Sequence, residues 1–93
     1  MKPIESASKP ALAPGVRSQT DRLSGEPVLL APEGIVMLND TAQAIVAHCT
    51  GQATVAEIVS ALAEEYDAPA EELFPDVVEC LADLCQKSLV VIL

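Results

Sequence analysis

Hydrophobic and polar residues change their spacing once along the chain, near position 39. Before that position, apolar residues form short runs that turn residues interrupt, which is typical of strands. These runs predict strands over residues 16–23, 28–31 and 35–38, the first of them polar and at an edge. Consecutive strands joined by short turns form an antiparallel meander.

After that position, apolar residues recur every three or four positions, the spacing of an amphipathic helix. Asn39 or Asp40 is a suitable N-cap for the first helix. Thr54 and Glu57 have the spacing of a capping box, so a second helix is expected to begin there. A third helix is predicted from about residue 70 to 87. Three antiparallel strands followed by three helices predict a small α+β domain.

The two ends of the chain show neither period. Residues 1–15 contain three of the seven prolines and predict a flexible arm. Residues 16–93 are therefore expected to form the single domain. The last five residues, 89–93, are all apolar, and they are expected either to form a short strand or to pack on the core.

Charge and cysteine content exclude several classes of partner. The formal net charge is −9 with only five lysines and arginines, which argues against nucleic acid and anionic membranes. No apolar run is long enough to span a bilayer, and the first residues do not resemble a signal peptide. Three cysteines, an odd number at no disulfide-like spacing, favour a reducing compartment. These features predict a cytoplasmic protein.

The third predicted strand has too few polar residues for a strand with one solvated face. Such a strand alternates apolar and polar residues, but all residues from Ile35 to Leu38 are apolar. The run Val28–Leu30 does not alternate either. The helices of so small a domain cover one face of the sheet, so the other face or the free edge needs another cover.

The third predicted helix also has more apolar surface than a surface helix needs. Its main stripe consists of Leu73, Val77, Cys80, Leu81 and Leu84, and Phe74, Val78 and Cys85 lie beside it. Three interpretations follow. The surplus is core that the arm and tail cover, or it forms a groove beside a free strand edge that binds an extended peptide. The third is self-association, in which two copies form a homodimer.

Residues with catalytic or metal-binding spacing are scarce. His48, the only histidine, is expected near the end of the first helix, where a positive charge interacts favourably with the helix dipole. Cys80 and Cys85 point about 140° apart on a helix, so they cannot share a metal ion. No serine has the setting of an acyl carrier protein, and the acidic helices disfavour a DNA-binding winged helix. We therefore expect the protein to be a binding protein and not an enzyme, with no catalytic residue, no metal and no cofactor.

The order and spacing of several short segments resemble the pyrroloquinoline quinone biosynthesis protein D (PqqD) family. These segments are Leu12–Arg17, Leu29–Val36, Leu38–Asn39, Thr41–Ala42, Gly51, Thr54–Val59, Leu62, Tyr66–Pro69 and Asp76–Val77. The resemblance covers about residues 11 to 90. It implies a winged helix-turn-helix-like fold and a peptide chaperone, which binds the precursor peptide PqqA and presents it to the radical S-adenosylmethionine enzyme PqqE.

In this family the peptide is expected to add a strand to the third strand and to pack on the third helix. Carried onto this chain, the resemblance implies a site on Gly34–Leu38 and on the helix between Leu73 and Cys85. The helical wheel then selects the helix residues. The residues expected to contact the peptide are Gly34, Ile35, Val36, Met37, Leu38, Phe74, Val78, Leu81 and Cys85.

The chain departs from the family pattern at its end. Ser88 stands where the family usually has glycine after the last helix, and the tail is more apolar than usual.

Overall fold

The structure, a computed structural model, describes residues 4–93. The first three residues of the expected arm lie outside this range. The elements in chain order are β1 (Pro10–Leu12), β2 (Arg17–Thr20), β3 (Pro27–Ala31), β4 (Gly34–Met37), α1 (Asp40–Ala47), α2 (Val55–Tyr66), α3 (Ala70–Gln86) and β5 (Val90–Ile92). The predicted α+β class, with a meander followed by three helices, is confirmed.

Strands β2, β3 and β4 form the predicted antiparallel meander, in that order across the sheet. Ala31 pairs with Gly34, so only Pro32 and Glu33 lie in the turn between β3 and β4. Gly34 has φ +147°, a value that favours glycine over residues with a Cβ. This short turn fixes which residues of β4 stand opposite each residue of β3.

Side chains cap the first two helices as the sequence predicts. The Ala42 N–H donates to Asn39 Oδ1 at 2.7 Å, which starts α1. At α2, the Glu57 N–H donates to Thr54 Oγ1 and the Thr54 N–H donates to Glu57 Oε1. The predicted capping box is thereby confirmed.

The core lies between the meander and the three helices. Its buried residues are Leu29, Leu38, Ile45, Val46, Cys49, Val55, Ile58, Val59, Leu62, Val77, Leu81, Leu84, Leu89 and Val90. Aliphatic side chains and one cysteine make up this cluster, as expected from a chain with 2% aromatic residues. On α3, Val77, Leu81 and Leu84 form the buried stripe that holds the helix against the rest of the domain.

The segment before residue 15 differs from the expectation of a flexible arm. Pro10–Leu12 forms strand β1, which pairs antiparallel with β5 in the apolar tail. The Val55 and Ala56 N–H groups at the start of α2 donate to the carbonyls of Ser8 and Ser6. The tail thus forms a short strand, one of its two expected outcomes, whereas β1 and its pairing with β5 have no counterpart in the predicted architecture. The term winged helix-turn-helix describes the fold only loosely.

The end of α3 is a Schellman motif with serine in the left-handed position. The Leu89 N–H donates to the Leu84 carbonyl at 2.9 Å, and the Ser88 N–H donates to the Cys85 carbonyl at 3.0 Å. Ser88 itself has φ +61°. Leu84 and Leu89 are both buried, which supplies the apolar contact that accompanies this motif.

Candidate functional site

Strand β4 is an edge strand within residues 4–93. It pairs with β3 on one side, and no described strand pairs with its other side. Its residues Ile35 and Met37 are 66% and 55% exposed, although both are large and apolar. An exposed, apolar edge is a surface to which another extended chain can bind.

The register shows which backbone groups of β4 are available at this edge. In an antiparallel pair, alternate residues direct their N–H and C=O groups toward the partner strand. The Leu38 N–H donates to the Pro27 carbonyl on the β3 side at 3.1 Å. By alternation, Val36 also faces β3, whereas Ile35 and Met37 direct their N–H and C=O groups to the free edge.

A cavity of about 880 Å³ lies between β4, the start of α1 and the second half of α3. Its lining residues are Val36, Met37, Leu38, Asn39, Thr41, Ala42, Asp76, Glu79, Cys80, Ala82, Asp83, Leu84, Gln86 and Lys87. The free edge of β4 thus borders a groove whose other wall is α3. We call this cavity the β4–α3 groove.

The structure brings some of the predicted contact residues to this groove and leaves others away from it. Val36, Met37 and Leu38 line the groove, while Gly34 and Ile35 lie on the same strand but outside the lining. Contact of these residues with a peptide stays a prediction.

The four residues predicted on α3 do not line the groove. Leu81 is fully buried in the core, and Phe74, Val78 and Cys85 are half-buried against it. At about 100° per residue, these last three lie on one flank of the buried stripe, and the groove lies along the opposite flank.

The flank of α3 that does face the groove carries residues that the prediction omitted. They are chiefly Asp76, Glu79, Cys80, Asp83 and Lys87, and each lies three or four positions from another member of the set. This stripe is visible in the sequence as a polar border of the apolar arc. Nothing local tells which border of the arc faces β4, because that depends on how the helix packs.

The electrostatics of the groove are dominated by carboxylates. Three exposed carboxylates line it, on Asp76, Glu79 and Asp83, against one ammonium group. That group, Lys87 Nζ, lies 3.0 Å from Asp83 Oδ2. Burial raises the pKa of the Cys80 thiol, and the Asp83 carboxylate raises it further. The thiol in the groove is therefore neutral near pH 7.

The groove and the free edge of β4 offer an apolar surface and backbone hydrogen bonds for binding, and the cysteines of the chain are not reactive. Burial raises the pKa of Cys49 to about 12 and also raises that of Cys85, so no activated thiolate is present among the three cysteines. Residues 4–93 contain no group of three or more metal-ligating side chains. In the same range, no helix has the length and hydropathy needed to cross a membrane.

Comparison with known proteins identifies the family. The sequence profile of the family Coenzyme PQQ synthesis protein D (PqqD) matches residues 26–90. A protein of Xanthomonas campestris pv. campestris (strain B100), named PqqA binding protein, is 45% identical over 89 residues, covering 96% of this chain and 97% of its own. A protein of the same name from Xanthomonas oryzae pv. oryzae (strain MAFF 311018) is 43% identical over equal shares.

Two solved structures are similar to this one. The solution structure of the PqqD part of Methylobacterium extorquens PqqCD has a TM-score of 0.82 at 34% identity, covering 98% of this chain and 99% of that one. That protein is described as a functional, stand-alone recognition element for ribosomally synthesized and post-translationally modified peptides. The crystal structure of PqqD from Xanthomonas campestris has a TM-score of 0.56 at 44% identity, over 83% and 86% of the two chains. The present chain belongs to the PqqD family.

Proposed function

We propose that this protein binds the precursor peptide PqqA in pyrroloquinoline quinone biosynthesis and presents it to the radical S-adenosylmethionine enzyme PqqE. The observation that carries the proposal is the free edge of β4 beside the β4–α3 groove. The relatives named PqqA binding protein support the choice of peptide. The presentation to PqqE rests on the family resemblance of the sequence.

In this proposal the protein has no catalytic step of its own. PqqA adds itself as a strand to β4, with backbone hydrogen bonds to Ile35 and Met37 and side chains in the groove. The bound part of the peptide becomes ordered, and its free end reaches PqqE. Tethering of this kind raises the effective concentration of a substrate to about the millimolar range. The cysteine content favours a cytoplasmic setting for this step.

The binding site can be tested with a pair of variants at Met37. Met37→Pro removes one backbone donor from the free edge, and proline is tolerated at edge positions whose N–H faces outward. Met37→Ala removes the side chain but keeps that donor. We expect calorimetric titration with PqqA from the same organism to show one-to-one binding that Met37→Pro abolishes and Met37→Ala only weakens.

A second measurement does not require a variant to fold. Hydrogen exchange followed by NMR should show that PqqA protects the amides of Ile35 and Met37, which are free in the unbound protein. The Val36 amide faces β3 and should change little. Binding of PqqA with unchanged exchange at Ile35 and Met37 would place the peptide elsewhere on the surface.

Self-association is the competing use of the same edge. Two copies of β4 could pair with each other and bury Ile35 and Met37 between them. Sedimentation velocity over a range of concentrations, without and with PqqA, separates the two cases. A dimer that PqqA dissociates is a resting form of the adaptor. Absence of any PqqA binding by a stable dimer would reject the proposed function.

A further inference from the structure

The geometry of β4 determines which side chains of an added strand face α3. Side chains of neighbouring strands that stand opposite each other lie on the same face of a sheet. Val36 and Leu38 line the groove and pack on the core side of the sheet. Met37 borders the groove as well, but by alternation its side chain lies on the other face with Ile35, and both are exposed. Peptide residues opposite Val36 and Leu38 therefore direct their side chains into the groove, and those opposite Ile35 and Met37 direct theirs away from α3.

The wall that these alternate side chains meet is apolar at the base and acidic at the rim. Of the α3 residues in the lining, Cys80 and Ala82 are half-buried and Leu84 is buried. Above them, Asp76, Glu79 and Asp83 are exposed at the mouth of the groove. A side chain that fits this wall has an aliphatic stem and a positively charged end, as lysine and arginine do.

We infer that the peptide strand on β4 carries lysine or arginine at alternate positions, where the positive charges face Asp76, Glu79 and Asp83. This inference rests on the proposed function and adds the charge and the spacing of the recognised side chains. The groove itself is negatively charged, since its three carboxylates are accompanied by a single ammonium group, and a positively charged side chain complements that charge. It also predicts binding that weakens as salt increases.

Lys87 occupies part of this acidic rim in the free protein. Its Nζ lies 3.0 Å from Asp83 Oδ2, four residues earlier on the same helix. Both side chains are more than half exposed, so the pair is weak and can be exchanged. A peptide cation therefore competes with Lys87 for Asp83, and removal of the Lys87 charge should strengthen peptide binding.

The test compares two triple variants with the same change in net charge. The groove variant is Asp76→Asn, Glu79→Gln and Asp83→Asn. The matched control is Glu64→Gln, Glu65→Gln and Glu72→Gln, exposed residues that do not line the groove. Each is titrated with PqqA from the same organism at two salt concentrations. We expect roughly tenfold weaker binding and a smaller salt dependence for the groove variant only.

Two further measurements give the sign and the spacing. Lys87→Gln should bind PqqA about two- to fivefold more tightly than the wild type. Replacing each lysine and arginine of PqqA by glutamine should weaken binding at positions an even number of residues apart. Equal losses in both triple variants would assign the effect to net charge and overturn the inference, as would no loss in either. Failure of PqqA to bind the wild type would instead reject the proposed function, and this inference with it.

Discussion

The serine that ends α3 in a left-handed conformation makes a stabilising substitution predictable. Ser88 has φ +61°, where a residue with a Cβ costs about 1–2 kcal/mol. Glycine avoids that cost but gains about 0.4–1 kcal/mol of extra freedom in the unfolded chain. The difference leaves Ser88→Gly more stable than the wild type by about 0.5–1 kcal/mol. The Schellman hydrogen bonds from Ser88 and Leu89 involve only backbone atoms, so the substitution keeps them.

Urea unfolding followed by circular dichroism measures this effect. For a domain of this size, a gain of about 1 kcal/mol also raises Tm by about 4–8 °C. Ser60→Gly is the matched control, because it makes the same chemical change at an exposed position inside α2. There glycine should destabilise by about 0.5 kcal/mol. A Ser88→Gly variant that is no more stable than the wild type would refute the argument that the left-handed conformation of Ser88 costs free energy.

Three other outcomes follow from the core, a cap and a thiol. Leu81→Ala should lower the free energy of unfolding by about 2–5 kcal/mol, because Leu81 is fully buried; a loss below about 1 kcal/mol in urea would contradict the core assignment. Hydrogen bonds from Thr54 lower the pKa of Glu57. The wild type should thus lose stability relative to Glu57→Gln as the pH falls below about 4.3, which thermal unfolding across pH measures. Tm values of the two proteins that change in parallel with pH would show that protonation of Glu57 does not affect stability. The Cys49 thiol, with a pKa of about 12, should react with a disulfide reagent only after unfolding; mass spectrometry showing early labelling of Cys49 would disprove this.

The regular elements with several residues of periodic pattern could be predicted from the sequence. The capping residues Asn39 and Thr54 located the starts of α1 and α2, and the long apolar stripe located α3. The run Ile35–Leu38 lacks the alternation of apolar and polar residues that a strand with one solvated face shows. The strand in this region, β4, is an exposed edge strand. Local spacing is sufficient in these cases because each element carries its own signal.

Features that depend on distant residues could not be predicted in the same way. Strands β1 and β5 have three residues each, too few to show a period, and the apolar tail alone does not indicate that its partner is Pro10–Leu12. The groove-facing side of α3 depends on packing, so the helical wheel by itself favours the apolar flank with Phe74 and Val78 over the acidic flank. The direction of the Val36 N–H, by contrast, follows from the two-residue turn once the pairing of Ala31 with Gly34 is known.

The pairing of β1 with β5 has a consequence for the order in which the chain is made and folded. Leu12 leaves the ribosome long before its partner Val90 is synthesised, and roughly 80 residues separate them. At about 5–20 residues per second, β1 waits about 4–16 s without its strand partner. The β3–β4 hairpin needs no such wait, since Gly34 follows Ala31 within one turn. The hairpin that carries the proposed peptide edge can thus form before the sheet that joins the two ends of the domain, because that sheet needs residues far apart in the sequence.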